Sequence, residues 1–91
     1  MTLRYARHHD LRLTALEGEG VVLHLGTRRY FTVSETGMVI LERITQPADL
    51  EAIVEALTAT YDVTTDEARE SARSFLDTGR RHGLITAEDR P

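Results

Sequence analysis

Three short segments in the first third of the chain alternate apolar and polar residues or are rich in β-branched residues. They span residues 11–16, 21–25 and 29–33. Alternation with a period of two is typical of half-buried strands. The connections at residues 17–20 and 26–28 are short and contain glycine, which favours tight reversals. The pattern therefore predicts a three-stranded antiparallel meander.

After the third segment the apolar spacing becomes helical. A first helix is predicted to begin at the N-cap Ser34 and to end before Pro47, because the residue before a proline is disfavoured in helical conformation. Gly37 lies in the first turn of this helix, and a glycine there predicts that the helix packs closely against the sheet. A second helix is predicted for residues 48–60, where apolar residues recur at the spacing i, i+3, i+4 and i+7.

A third helix is predicted from the N-cap Thr64 to about His82. Thr64 and Glu67 form the pattern of a capping box, in which each side chain bonds the other residue's backbone. Gly83, followed by Leu84, is typical of a Schellman ending.

Three strands followed by three helices indicate an α+β fold, with a three-stranded antiparallel sheet preceding the helices. The second and third helices, joined by a tight turn, resemble a winged helix-turn-helix. We expect residues 1–91 to form a single domain. It is predicted to be ordered over roughly residues 3–86, with frayed ends.

Composition narrows the functions that the chain can have. The chain has 15 acidic and 11 basic residues, a net charge of −4 and no cysteine. An acidic balance argues against nucleic-acid binding, and the apolar runs are too short to span a membrane. The four histidines and the serines lack the spacing of a metal site or a nucleophilic triad. We therefore expect a cytoplasmic, non-catalytic protein without metal or cofactor.

The third predicted helix carries the most informative pattern. One stripe consists of small and apolar residues, namely Ala68, Ala72, Phe75, Leu76 and Gly79. This stripe is either core or the floor of a groove. Three arginines lie on one flank of it, namely Arg69, Arg73 and Arg80. Because every basic residue in this acidic chain is an arginine, the flank suits a ligand that is both apolar and acidic.

The third predicted strand has no later strand beside it in sequence, so we expect an open edge there. Its residues Tyr30, Phe31, Thr32 and Val33 have high β-propensity. An extended peptide could add to this edge as a further strand. Arg28 and Arg29 lie where the strand begins. Their charges would discourage unwanted pairing of the edge with other strands, and they could pair with peptide carboxylates.

Three groups of residues carry a resemblance to a known family. The resemblance depends on residues 22–37, with the aromatic pair Tyr30-Phe31 and the turn Thr36-Gly37. It also depends on residues 50–57 with the following Tyr61-Asp62-Val63, and on Phe75-Leu76 with the closing Gly83-Leu84-Ile85. With these residues, from about Leu11 to Ile85, the sequence resembles the PqqD-like family, the peptide-binding domains called RiPP recognition elements. Among subgroups, it is most similar to the stand-alone proteins of lasso peptide biosynthesis.

The resemblance implies a non-catalytic module that binds the leader region of a ribosomally made precursor. The leader would add as a strand to the third strand, against the third helix, and would be delivered to a leader peptidase and a cyclase. The implied strand contacts are Arg28, Arg29, Tyr30, Phe31, Thr32 and Val33. The implied helix contacts are Ala68, Arg69, Ala72, Arg73, Leu76 and Arg80.

Three alternatives remain open from the sequence. The chain could be a PqqD-type chaperone of another peptide-modification pathway. It could be a winged-helix DNA-binding regulator that uses Arg69, Arg73 and Arg80, although Asp66, Glu67, Glu70 and Asp77 on the same helix oppose this. It could also be a structural subunit that associates through the open edge.

Overall fold

The structure, a computed structural model, describes residues 2–90 and contains five strands and three helices within them. The strands are β1 Thr2–Arg7, β2 Leu11–Leu16, β3 Glu19–His24, β4 Arg29–Ser34 and β5 Ile85–Arg90. The helices are α1 Glu35–Arg43, α2 Leu50–Thr60 and α3 Thr65–Arg81.

The predicted meander is confirmed as an antiparallel sheet in the order β2-β3-β4. The turn between β2 and β3 has a positive φ of 78° at Gly18, a conformation that glycine adopts without steric cost. Gly20, in the same predicted connection, does not have a positive φ. It lies in β3 with the side chain of Met38 packed against it. The turn into β4 instead places Arg28 in the left-handed region, with φ 61°.

The structure contains a pairing that the sequence did not predict, between strands at the two ends of the described residues. The end residues Met1 and Pro91, for which fraying is predicted, lie outside the described residues. β1 and β5 pair antiparallel along their whole lengths as a separate two-stranded sheet. On its other side, β1 exchanges two backbone hydrogen bonds with Ala48, from Tyr5 N to Ala48 O (2.7 Å) and from Ala48 N to Tyr5 O (3.0 Å). These end segments are mostly polar, and their partners lie far away in sequence, so local patterning carried no signal for the pairing.

The predicted helix ends are confirmed at three places. The Ser34 hydroxyl accepts the Gly37 N–H at 3.1 Å, and Thr64 and Glu67 form the reciprocal capping box. At the end of α3, the Leu84 N–H donates to the Gly79 carbonyl at 2.8 Å, the long bond of a Schellman motif. α2 begins two residues later than predicted, at Leu50, because the Asp49 side chain caps it.

The core lies between the three-stranded sheet and the helices. Its largest fully buried side chains are Val22, Ile40, Leu41, Ile44, Ile53 and Leu57. α1 packs on β3 and β4, and α3 packs on α2 and β5. Gly37 permits the close approach predicted for it, since a Cβ there would lie 2.5 Å from Val33 Cγ1 and 2.6 Å from Phe75 Cε1. No helix within residues 2–90 is long and apolar enough to cross a membrane.

Candidate functional site

β4 is an edge strand of its sheet, with β3 on one side and no strand on the other among residues 2–90. The Leu25 N–H donates to the Asp10 carbonyl at 3.0 Å. Successive residues of a central antiparallel strand hydrogen-bond alternately to the strand on one side and to the strand on the other. Because Leu25 bonds toward β2, the odd-numbered residues of β3 bond β2, and the even-numbered ones bond β4. Phe31 and Val33 therefore bond β3, and the N–H and C=O groups of Tyr30 and Thr32 point to the open edge.

The side chains of β4 divide between its two faces. Val33 is buried and Phe31 is half-buried, with its ring centroid 5.5 Å from that of His82 at the end of α3. Tyr30, which is 74% exposed, and Thr32 lie on the outer face. Arg28 and Arg29 are exposed where the strand begins. The open edge thus lies beside α3, with an apolar side turned inward.

A groove of about 680 Å³ lies where the end of β4 and the start of α1 meet α3. Phe75 and Gly37 contribute its apolar surface, and Ser34 and Thr36 line it on the sheet side. The α3 residues that line it are Glu67, Glu70, Ser71, Ser74, Phe75 and Thr78. An open backbone edge gives strand addition its main-chain hydrogen bonds, and a neighbouring groove can receive side chains of the added strand.

A smaller pocket of about 170 Å³ adjoins this groove and shares Thr36, Glu67 and Ser71 with it. Its remaining lining residues are Leu57, Tyr61, Val63 and Ala68. The pocket is therefore mostly apolar, and its size suits one side chain rather than a whole ligand.

None of the six predicted α3 residues lines this groove, although Ala68 lines the smaller adjoining pocket. Ala68, Ala72 and Leu76 are buried in the core with at most 2% exposed surface. Arg69 and Arg73 line a different hollow, formed with β1 and the start of α2. Arg80 is exposed and does not line the groove. At 100° per residue, the arginine flank and the groove flank lie on opposite sides of the buried stripe.

Sequence reasoning missed the groove residues Glu67, Glu70, Ser71, Ser74 and Thr78. Their polarity marks them only as the solvent side of an amphipathic helix, as it does for the arginines. The one available signal was Phe75, an apolar residue at the edge of the stripe rather than in its middle. A large apolar residue there indicates which flank of α3 turns toward the sheet.

Carboxylates dominate the electrostatics of the groove. Hydrogen bonds from the Thr64 backbone and side chain lower the pKa of Glu67, so this carboxylate is ionised at neutral pH. At the adjoining pocket, desolvation raises the pKa of the Tyr61 hydroxyl, and the negative charge of Glu35 raises it further. The Tyr61 hydroxyl donates to Glu35 Oε1 at 3.5 Å.

The lowered pKa of Glu67 predicts a pH-dependent contribution to stability. A carboxyl group whose folded pKa is depressed stabilises the fold above its unfolded value and loses this contribution as pH falls through the folded value. Glu67→Gln should therefore be less stable than the wild type near neutral pH, with the difference shrinking below pH 4.5, the ordinary pKa of the group. Urea denaturation of both proteins from pH 7 to 3 measures this. A difference that grows toward low pH would contradict it.

A histidine cluster lies apart from the groove, where the sequence predicted no metal site. Metal-binding atoms of His8, His9 and Asp10 all lie within 4.8 Å of one another, and the His24 ring centroid is 4.6 Å from that of His8. However, His8 Nδ1 accepts the Asp10 N–H at 3.1 Å. Nδ1 of His8 would have to give up this bond to bind a metal.

Comparison with known proteins gives a consistent family assignment. The family model described as Coenzyme PQQ synthesis protein D (PqqD) matches residues 19–85. No curated protein matches the chain.

Two solved structures are similar over nearly the whole chain. The first, "TbiB1 in Complex with the TbiA(beta) Leader Peptide", has 26% sequence identity and a TM-score of 0.76, and the match covers 88% of this chain and 93% of that one. The second, "Lasso peptide synthetase B1 complexed with the leader peptide", has 15% identity and a TM-score of 0.74, with coverage of 90% and 96%. The second similarity concerns the fold alone.

Proposed function

The chain belongs to the PqqD family, and from this premise we propose that it binds the leader region of a ribosomally synthesised precursor peptide. The leader would add as an extended strand to the open edge of β4 and place alternate side chains in the groove against α3. The observation that carries the proposal is this open edge, with the outward backbone groups of Tyr30 and Thr32, and the groove at the end of the same strand that Ser34 and Phe75 line.

The contacts proposed for β4 remain those of residues 28–33, with the backbone of Tyr30 and Thr32 at their centre. For α3 we propose contacts on the flank that faces β4, at Ser71, Ser74, Phe75 and Thr78. Ala72 and Leu76 would support this flank from the core without touching the peptide, and Ala68 would line the adjoining pocket.

The proposed role is recognition and delivery rather than chemistry. We propose that the bound precursor is passed to a leader peptidase and a cyclase of lasso peptide biosynthesis. The likeness to TbiB1, a structure solved in complex with the TbiA(beta) leader peptide, supports the leader-binding part of this proposal. A strand-addition site binds backbone groups of many sequences, so the peptide's side chains in the groove must provide specificity.

Fluorescence anisotropy tests the proposal. A labelled leader peptide, from a precursor encoded near this gene, should bind saturably at about micromolar concentration, a range typical of a small groove. A scrambled peptide of the same composition should bind much more weakly. If no neighbouring leader binds while duplex DNA does, with steep salt dependence, the protein would instead be a DNA-binding regulator.

A further inference from the structure

The α3 wall of the groove carries two carboxylates and no cation. Glu67 and Glu70 lie there with the hydroxyls of Ser71, Ser74 and Thr78. All of these groups accept hydrogen bonds, and the carboxylates also carry negative charge. The opposite wall, Ser34 and Thr36, is uncharged. The groove is therefore acidic along one side.

The arginines of α3 do not neutralise this wall. Arg69 donates to Glu51 Oε1 and Oε2 at 2.5 and 2.8 Å, on the opposite flank of the helix. Arg81 pairs with Asp77 at 3.5 Å. No ion pair of Glu67 or Glu70 with an arginine occurs within residues 2–90. The acidic wall therefore has no basic partner within the described part of the chain.

Of the two carboxylates, Glu67 takes part in the N-terminal cap of α3, and Glu70 does not. Glu67 lies in the first turn of α3, and its Oε1 accepts the Thr64 N–H at 3.1 Å. It therefore serves the capping box as well as the groove. Glu70 lies beyond the first turn, where the helix dipole gives an acidic residue little benefit. It is exposed and contributes no hydrogen bond to a cap.

We propose that Glu70, assisted by Glu67, selects leader peptides that place a lysine or arginine side chain over the α3 wall of this groove. The inference rests on the proposed function and specifies its ligand. A basic ligand differs from the acidic ligand expected from the sequence. That expectation depended on arginines that lie on the opposite flank of α3. A cationic side chain would gain charge-assisted hydrogen bonds from Glu70 and from the neighbouring hydroxyls.

A charge-reversal titration with the labelled leader tests this. Glu70→Lys should weaken binding about five- to tenfold at low salt, and Glu70→Gln about two- to threefold, as expected for an exposed ion pair. Both losses should shrink at high salt. A leader whose basic residue at this position is replaced by glutamate should bind Glu70→Lys better than it binds the wild type.

Glu55→Lys is the matched control, because Glu55 is an exposed helical glutamate that lines a separate hollow with Arg43 and Ala59. It should leave the affinity within about twofold of wild type, as expected for a charge far from the ligand. Unchanged or tighter binding by Glu70→Lys, with the wild type binding normally, would overturn the selectivity proposal and leave the proposed function intact. Failure of the wild type to bind any leader would overturn both.

Discussion

Thr32→Pro should nearly abolish leader binding while leaving the protein folded. The Thr32 N–H points to the open edge of β4, so proline removes no hydrogen bond to β3, and an edge strand tolerates it. An added peptide, however, would lose a backbone donor and meet the proline ring. One backbone hydrogen bond contributes about 0.5–1.5 kcal/mol, and with the steric block we expect at least a tenfold loss of affinity.

The control is Ala15→Pro on β2, the opposite edge of the same sheet. Ala15 is exposed, and the same alternation directs its N–H away from β3. It should bind the leader as the wild type does. Anisotropy gives the affinities, and circular dichroism verifies folding. A folded Thr32→Pro protein with wild-type affinity would show that the leader does not pair with β4.

Leu76→Asp should unfold the protein rather than merely weaken peptide binding. Leu76 is 2% exposed, and its side chain belongs to the hydrophobic core against which α3 packs. Loss of a buried leucine costs about 2–5 kcal/mol, and a buried carboxyl without a partner adds several more. The sum approaches the entire stability of a small domain, about 5–15 kcal/mol.

Two further variants separate a core role from a groove role. Leu76→Ala should lower the free energy of unfolding by about 2–5 kcal/mol, with little change in leader affinity for the folded fraction. Arg73→Glu, on the exposed far flank, should change stability by less than about 1 kcal/mol. Urea denaturation measures both. A well-folded Leu76→Asp protein that fails to bind the leader would place Leu76 in the groove and contradict this assignment.

Local patterns predicted most of the fold. The three strands of the meander, the N-caps Ser34 and Thr64, and the Gly83 ending depend on residues close in sequence. Alternation, capping and turn chemistry each act over a few residues, so they can be recognised without the tertiary structure. The edge position of β4 also followed from the order of elements alone.

The pairing of β1 with β5 could not be predicted in this way. Its register joins Thr2 to Arg90 and Arg7 to Ile85. Such contacts depend on the folded helices bringing the two ends together, and mostly polar segments carry no periodic signal of the result.

The sequence also did not determine which flank of α3 faces the groove. A helical projection gives the order of side chains around the axis but not the direction in which the buried stripe points. Four of the five stripe residues are buried, whereas Phe75 is half-buried and lines the groove, so the rest of both flanks is polar surface. Only the packing of Phe75 against Gly37 shows which flank lies beside β4.

The most direct test of strand addition is amide hydrogen exchange of individual residues, measured by NMR with and without the leader peptide. If the leader pairs with β4, exchange of the Tyr30 and Thr32 amides should slow markedly on saturation, because each gains a backbone acceptor. The Leu13 and Ala15 amides, on the outer edge of β2, should exchange at unchanged rates. Saturated binding with no added protection at Tyr30 and Thr32 would contradict strand addition to β4.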